Sequence, residues 1–292
     1  KLTVKDLFAY AEENKLASVD GNERTFGGFV RNNRTFGEIG FITLNDGSCF
    51  NNIQIVYKST DETALRAKRG AAILVKGILK VTPEAKQPFE LDATSIELVG
   101  PVTESYPLQK KKTSFEYLRG YPQWRRRTNT FNAVFRIRST LAYYIHQYFH
   151  ENGYYYIHTP LITANDCEGE GQTFQVASDR KHPEEFFGKD NVHLTVSGQL
   201  HVEPFALTYG KVYTFGPTFR AEKSNTTRHA AEFWRIEPEI AWAHLADLCD
   251  IEEDFLKYVV SHTVEECKRY RKFLYQFVDK DLEKRLDDFV KK

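Results

Sequence analysis

The stretch Val212–Trp242 reads VYTFGPTFRAEKSNTTRHAAEFWRIEPEIAW. An aromatic run, a polar loop and a second aromatic run make a β-hairpin. Residues two apart on a strand share a face, so Arg220 and Glu222 point the same way at the rim of the loop. On the return strand Phe233, Arg235, Glu237 and Glu239 share a face by the same parity. The loop Lys223–Ala231 carries Lys223, Arg228 and His229. Fixed cations, acceptor carboxylates and an aromatic ring in one patch are the parts that hold a triphosphate and a flat base. The same residues also suit a surface hairpin whose charges are solvated.

Outside the hairpin, 292 residues are enough for two domains with their own cores. Forty basic residues balance 40 acidic ones, so any nucleic-acid contact must come from local patches. The cysteines Cys49, Cys167, Cys249 and Cys267 show no CxxC spacing. That argues against a zinc ribbon or a disulfide framework and fits a reducing cytoplasm. No apolar run approaches a membrane span, and no signal-peptide pattern opens the chain. There is no methionine, not even an initiator, which fits a processed terminus or residues beyond those given.

The N-terminal part opens with a short helix, Lys1–Glu13, and from Arg24 the apolar period becomes two. Strands are expected near Thr25–Asn32, Ile39–Asn45, Cys49–Tyr57, Ala71–Val81 and Glu90–Val99. Asp46-Gly47 marks the turn after the second, and a helix, Ser59–Lys68, follows the third. Five strands with a helix between the third and fourth is the order of an OB-fold barrel, which often binds oligonucleotides but can be purely structural. With Ile42 and Leu44 on the core face, Phe41 lies outward beside Thr43 and Asn45. Ile53, Ile55 and Tyr57 share one face of the third strand, Asn52 and Gln54 the other. An outward Phe41 near an outward Gln54 makes a stacking platform with a hydrogen-bonding amide, and Arg31 and Arg34 are close enough in sequence to reach phosphates.

Pro101–Arg127 reads as a hinge, with prolines, Gly120 and the basic runs Lys110–Lys112 and Arg125–Arg127. Those runs suit a solvated face or a nucleic-acid backbone. Ala133–Asn152 is an amphipathic helix with a stripe of Val134, Ile137, Leu141, Ile145 and Tyr148, stopped by Gly153. A strand, Tyr154–His158, follows. His146 and His150 have the i, i+4 spacing of a helical zinc pair, but residue 147 is Gln, and surface or interface histidines fit better. A last long helix, Asp250–Lys272, is expected to start on a capping box of Asp250 and Glu253 and to turn Phe255, Tyr258, Val259 and His262 inward.

The string FRAEKSNTTRHAAEFWRIEPE resembles motif 2 of class II aminoacyl-tRNA synthetases, in the form typical of asparaginyl-tRNA synthetases. The resemblance continues through TANDCEGEG and LTVSGQL and through GFITLNDG and NNIQIVY, and covers essentially the whole chain. It implies an α+β architecture: a five-stranded OB-fold anticodon-binding domain over residues 1–102, a hinge over 103–130, and an antiparallel-sheet catalytic domain over 131–292. The helix, strand and Pro160 resemble motif 1, the dimer interface of the family, which implies a homodimer.

The implied reaction joins asparagine and ATP to asparaginyl-adenylate and transfers the amino acid to tRNA(Asn), with Mg2+ as the metal. Such activation needs aligned reactants and neutralised phosphoryl charge, not an enzyme nucleophile. A guanidinium fork binds two oxygens at once, so Arg220 suits the bridge between the α-phosphate and the reacting carboxylate. By the family match Glu222 contacts the adenine side, Arg228 and His229 the distal phosphates, and Phe233 stacks on adenine. Glu168 matches the acid that binds the α-ammonium, and Gln199 a second amino-acid contact; a solvated loop acid and a strand-end cap are their plain alternatives. Phe41 matches the ring that stacks on the central anticodon base, and Gln54 the amide that bonds its edge.

Selection of asparagine over aspartate is expected at Glu237, four residues and roughly 13 Å along the strand from Phe233. Its carboxylate accepts from a side-chain NH2 and repels a second carboxylate. A simple pairing with Arg235 or a neighbouring strand is the alternative. Arg235 itself departs from the family, which commonly has an apolar residue there, and faces the pocket unless a bulge turns it away. The family's third, Gly-rich motif and its magnesium carboxylates are not found, and Asp279–Lys292 resembles the helix after motif 2, so a remainder beyond Lys292 is expected and no metal ligand is assigned. An aspartyl-type or non-discriminating synthetase and a non-catalytic RNA-binding fragment are the rival readings.

Overall fold

The structure, a computed structural model, describes residues 2–85, 87–111, 113–169, 172–177, 184–189, 191–224, 226 and 229–291. It forms two compact units, one of Lys1–Ile137 with Lys268–Glu283, the other of Arg138–Cys267 with Lys284–Lys292.

In the first unit helix α1 (Val4–Glu12) starts where Thr3 and Asp6 cap one another, and Asp46 accepts the Val4 N–H at 2.9 Å. Strands β1 (Glu23–Phe36), β2 (Ile39–Asn45) and β3 (Ile53–Lys58), helix α2 (Glu62–Arg66), and strands β4 (Ala72–Val81) and β5 (Phe89–Gly100) follow. The strands close into a barrel in the order β1-β2-β3-β5-β4, as the alternating pattern implies. Phe26, Val30, Ile42, Leu44, Ile53, Ile55 and Leu91 fill it. Gly40 is required beside the buried Tyr57, because a Cβ there would sit 2.0 Å from the ring. Tyr57 in turn donates to Asn33 Oδ1 at 2.7 Å, while the Asn33 amide reaches the Ala64 and Ala67 carbonyls of the α2 segment.

Three details differ from the sequence expectation. The β1–β2 ladder is bulged between Val30 and Asn32, so Arg31 is an extra residue and the inward parity changes. Phe26 and Val30 face the core before the bulge; Asn33, opposite Ile42, does so after it. The third strand begins at Ile53, not Cys49, because the Asn45 amide gathers the Cys49 and Asn51 carbonyls and holds residues 46–52 as a loop. Helix α2 is shorter than Ser59–Lys68, since Asp61 accepts from the Ala64 N–H and caps it there.

Residues 103–130 carry helices α3 (Phe115–Arg119) and α4 (Pro122–Arg125) and belong to the first unit. The run Arg125–Arg127 is not a plain solvated face. Arg127 lies 3.8 Å over Phe29 and 4.7 Å over Trp124 and donates to the Gly70 carbonyl; Arg126 covers Phe135 and Arg125 covers Phe131.

Next come α5 (Asn129–Glu151), β6 (Tyr155–Tyr156), β7 (Ile162–Thr163), α6 (Glu184–Phe187), β8 (His193–Leu194), α7 (Gln199–Tyr209), β9 (Lys211–Phe219), β10 (Glu232–Ile240), α8 (Leu245–Glu266), α9 (Lys268–Phe277) and α10 (Leu282–Lys291). The second unit is built on the sheet β10-β9-β6, in which β9 and β10 are antiparallel. Ile145, Tyr148 and Phe149 of α5 pack on Tyr213 and Phe215 of β9 and on Val259 of α8. Phe149 stacks on Tyr213 at 4.4 Å and on Phe255 at 5.1 Å.

Val134, placed on the inward stripe of α5, is exposed, and Phe149 joins the stripe instead. The strand expected over Tyr154–His158 pairs only at Tyr155 and Tyr156 before the chain turns into Pro160. The capping box is not Asp250 with Glu253. Helix α8 starts one turn and more earlier, where the His244 N–H donates to Asp247, and it ends at Cys267 instead of running to Lys272. Of the two histidines, His150 is exposed, whereas His146 is half-buried, its Nδ1 2.7 Å from the Tyr213 hydroxyl among the rings of Tyr156, Tyr213 and Phe215. Among the described residues no helix is long and apolar enough to cross a membrane, and no cluster of three or more acidic, His or Cys side chains is placed to hold a metal.

Candidate active site

The β9–β10 ladder runs without a bulge from Glu232 opposite Phe219 to Ile240 opposite Lys211. Strand parity therefore holds along the whole hairpin, and Arg235 faces the same side as Phe233 and Glu237. Its Nη1 donates to Glu168 Oε1 at 2.8 Å and to the Val196 carbonyl at 3.1 Å, and its Nε lies 3.3 Å from Glu237 Oε1. From the end of β9, Arg220 Nη2 meets both Glu168 oxygens, at 2.9 and 2.7 Å. One loop carboxylate is thus held by two guanidiniums. The Ala221 N–H, bonded to the Gln172 carbonyl at 2.7 Å, fastens that loop beside the hairpin.

Glu237 is 9% exposed and fully occupied. Besides Arg235 it accepts from Ser197 Oγ at 2.5 Å and from the Gly198 N–H at 3.1 Å. Only glycine fits at 198: a Cβ would stand 2.8 Å from Thr159 Oγ1 and 2.9 Å from Thr214 Cγ2. Farther along β10, burial and the neighbouring Glu203 and Glu237 push the Glu239 carboxyl above the usual carboxylate range.

At the loop end, Arg220 lies 5.8 Å over the Phe233 ring and 3.9 Å from Glu222, while His229 Nε2 is 3.8 Å from Glu222 and its Nδ1 2.5 Å from Thr226 Oγ1. Glu168, Arg220, Glu222, His229, Phe233 and Glu237 therefore come together; Arg228 lies outside the described residues. Gln199 does not join them in this state. It is exposed at the start of α7, with its amide on Glu203 at 3.2 Å. Ser197 was missed as a partner, although LTVSGQL placed it two residues from Gln199; nothing local says that its hydroxyl reaches a strand 40 residues away.

On the barrel, Phe41 and Gln54 share the outer face of adjacent strands, opposite Val56 and Thr43 respectively. Arg34 lies 5.4 Å over Phe41, and the Gln54 amide donates to Glu90 at 3.0 Å. Arg31 is not part of this face: the bulge turns it to Asn129, whose Oδ1 it meets at 2.6 Å.

Residues 25–99 match an OB-fold nucleic acid binding domain, and residues 114–289 match the tRNA synthetases class II (D, K and N). The chain belongs to the class II tRNA synthetases of the D, K and N group. It is 46% identical over 305 residues to the asparagine–tRNA ligase of Clostridium tetani (strain Massachusetts / E88), covering 99% of this chain and 65% of that protein. With the asparagine–tRNA ligase of Clostridium beijerinckii (strain ATCC 51743 / NCIMB 8052) it shares 49% identity over 92% of this chain and 61% of the relative. The chain spans less than two thirds of the length of these relatives. The asparaginyl-tRNA synthetase of Pyrococcus horikoshii, solved with asparaginyl-adenylate, superposes with a TM-score of 0.78 at 27% identity, over 88% of this chain and 58% of that one. A putative aspartyl-tRNA synthetase from Leishmania major Friedlin, at 18% identity and a TM-score of 0.73 over 92% of this chain and 54% of that one, shares the fold. Glu168, Arg220 and Arg235 all lie within the segment 114–289 that matches the class II synthetases.

Proposed function

We propose that the chain carries the anticodon-binding barrel and the adenylate-forming site of an asparagine–tRNA ligase. The observation that carries this reading is the Arg220–Glu168 pair. An α-amino acid is a zwitterion, and a guanidinium facing a carboxylate is its complement. Entry of the substrate exchanges one ion pair for two: the ammonium takes Glu168 and the carboxylate takes Arg220. Arg220 Nε is buried without a hydrogen-bond partner among the described residues, and an α-phosphate oxygen would satisfy it.

A carboxylate oxygen of asparagine then attacks the α-phosphorus of ATP, the bond to the β-phosphate breaks, and pyrophosphate leaves. The terminal ribose hydroxyl of tRNA(Asn) next attacks the carbonyl carbon and releases AMP. Phe233 and Glu222 serve the adenine, and His229 with Arg228 the distal phosphates. Gln199 serves the amino acid once its amide leaves Glu203, and Phe41, Gln54 and Arg34 serve the anticodon. Mg2+ would accompany ATP and neutralise its phosphates. A homodimer through the motif 1 region and a cytoplasmic location belong to the same reading.

Arg235 favours a second reading, a site that also accepts aspartate, because it neutralises the carboxylate expected to reject it. The test is exchange of labelled pyrophosphate into ATP by the full-length protein with either amino acid. Asparagine-dependent exchange that Arg220→Ala abolishes is expected; no exchange with either amino acid overturns the proposal.

A further inference from the structure

The first unit holds a cleft of about 740 Å3, the size of a small-molecule site, and no described residue of the β9–β10 hairpin lines it. Its wall carries six cationic residues, Arg31, Arg69, Lys110, Lys111, Arg126 and Arg127, and among the described lining residues no Asp or Glu. Half-buried cations are ordinarily paired with carboxylates. These are not. Arg31 has only the neutral Asn129 amide, Arg127 the Gly70 carbonyl and the rings of Phe29 and Trp124. Arg69 has no hydrogen bond or ion pair among the described residues.

Burial, with Arg69 and Arg127 close by, also lowers the pKa of the Arg31 guanidinium. The N-terminus of the 23-residue helix α5 opens into the same space through Asn129 and Thr130, adding its positive end. Thr113 and Ser114 bring hydroxyls, whereas the Thr128 hydroxyl already donates to the Arg125 carbonyl. Phe29 and Phe115 leave much of their rings exposed at the wall.

We infer that this cleft is a binding site for a phosphate-bearing anion, with Arg31, Arg69 and Arg127 as its floor. Like charges gathered without a counter-charge are a standing cost that a polyanion removes. Guanidiniums, hydroxyls and a helix N-terminus are the donors that phosphate oxygens take. The phosphate can be that of a free small anion or of an RNA backbone, and the experiment separates the two.

Pyrophosphate is titrated calorimetrically, at low ionic strength, into the full-length protein carrying Arg220→Ala, Arg228→Ala and His229→Ala, so that the hairpin's own phosphate contacts are removed. One pyrophosphate per chain is expected in the cleft. Adding Arg69→Gln weakens it about tenfold or more, and adding the exposed Lys58→Gln does not. Without the anion Arg69→Gln leaves the melting temperature equal or higher, because a repulsion is lost and no contact is broken; a lower one would make Arg69 a structural residue and overturn the proposal. Pyrophosphate binding that Arg69→Gln leaves unchanged, or no binding, overturns it as well. Displacement of bound pyrophosphate by tRNA identifies backbone phosphate as the ligand, and binding that tRNA leaves intact identifies a free anion.

Discussion

The Arg235 Nε lies 3.3 Å from Glu237 Oε1 on the same face of β10. A carboxylate that would repel an acidic substrate side chain is therefore already neutralised. If Glu237 selects the substrate, Arg235→Met in the full-length protein should sharpen the preference for asparagine over aspartate by about tenfold or more, since the carboxylate keeps its Ser197 and Gly198 donors but loses its neutralising cation. Comparing kcat/KM for exchange with the two amino acids measures it. An unchanged ratio would move selection away from this pair.

Glu237 also matters to the fold of the second unit. Truncating it leaves the Ser197 hydroxyl and the Gly198 N–H without an acceptor and the Arg235 Nε without its nearby charge. Glu237→Ala should cost about 2–4 kcal/mol in denaturant unfolding. Glu237→Gln keeps an acceptor oxygen and should cost less.

Phe41→Ala should weaken tRNA binding by about 1–3 kcal/mol through loss of a base stack, without changing adenylate formation. The effect of Gln54→Ala should be smaller, because in the free chain that amide is already bonded to Glu90 and must first be released. Filter binding of tRNA to the full-length variants tests both; wild-type affinity of Phe41→Ala would remove the barrel face from the anticodon.

Burial lowers the pKa of His146 from its ordinary value of 6.5. The unfolded chain then binds a proton that the folded chain refuses, so stability is full above about pH 6.5 and falls as pH drops through that value toward the depressed folded pKa. His146→Gln should remove this part of the acid sensitivity. Denaturant midpoints of both proteins on either side of pH 6.5 read the difference, and parallel losses would assign it to other groups.

The barrel and the hairpin were legible because a period of two is written residue by residue. Ile42 and Leu44 inward and Phe41 outward needed no partner strand to be read, and the same holds for Phe233, Arg235 and Glu237. What escaped depends on where two segments meet. The start of β3 is fixed by the side chain of Asn45 reaching two loop carbonyls. The start of α8 turns on His244 and Asp247, a pair that competes with the equally plausible acids at 250 and 253. Whether Gln199 faces a substrate depends on Glu203, one helical turn away, and the Glu168–Arg220 pair joins residues 52 apart.

The bulge at Arg31 gives β1 two registers along its length. Deleting one residue there would restore unbroken alternation. With Arg31 gone, Asn32, Asn33 and Arg34 would keep Thr43, Ile42 and Phe41 as their partners, and only the Arg31–Asn129 contact would be lost. Deleting Asn33 instead would set Arg34 opposite Ile42 and take from Tyr57 and the α2 carbonyls their shared partner. In a library of single-residue deletions and substitutions, the bulge position should tolerate both replacement and removal, whereas position 33 should fail when it is absent.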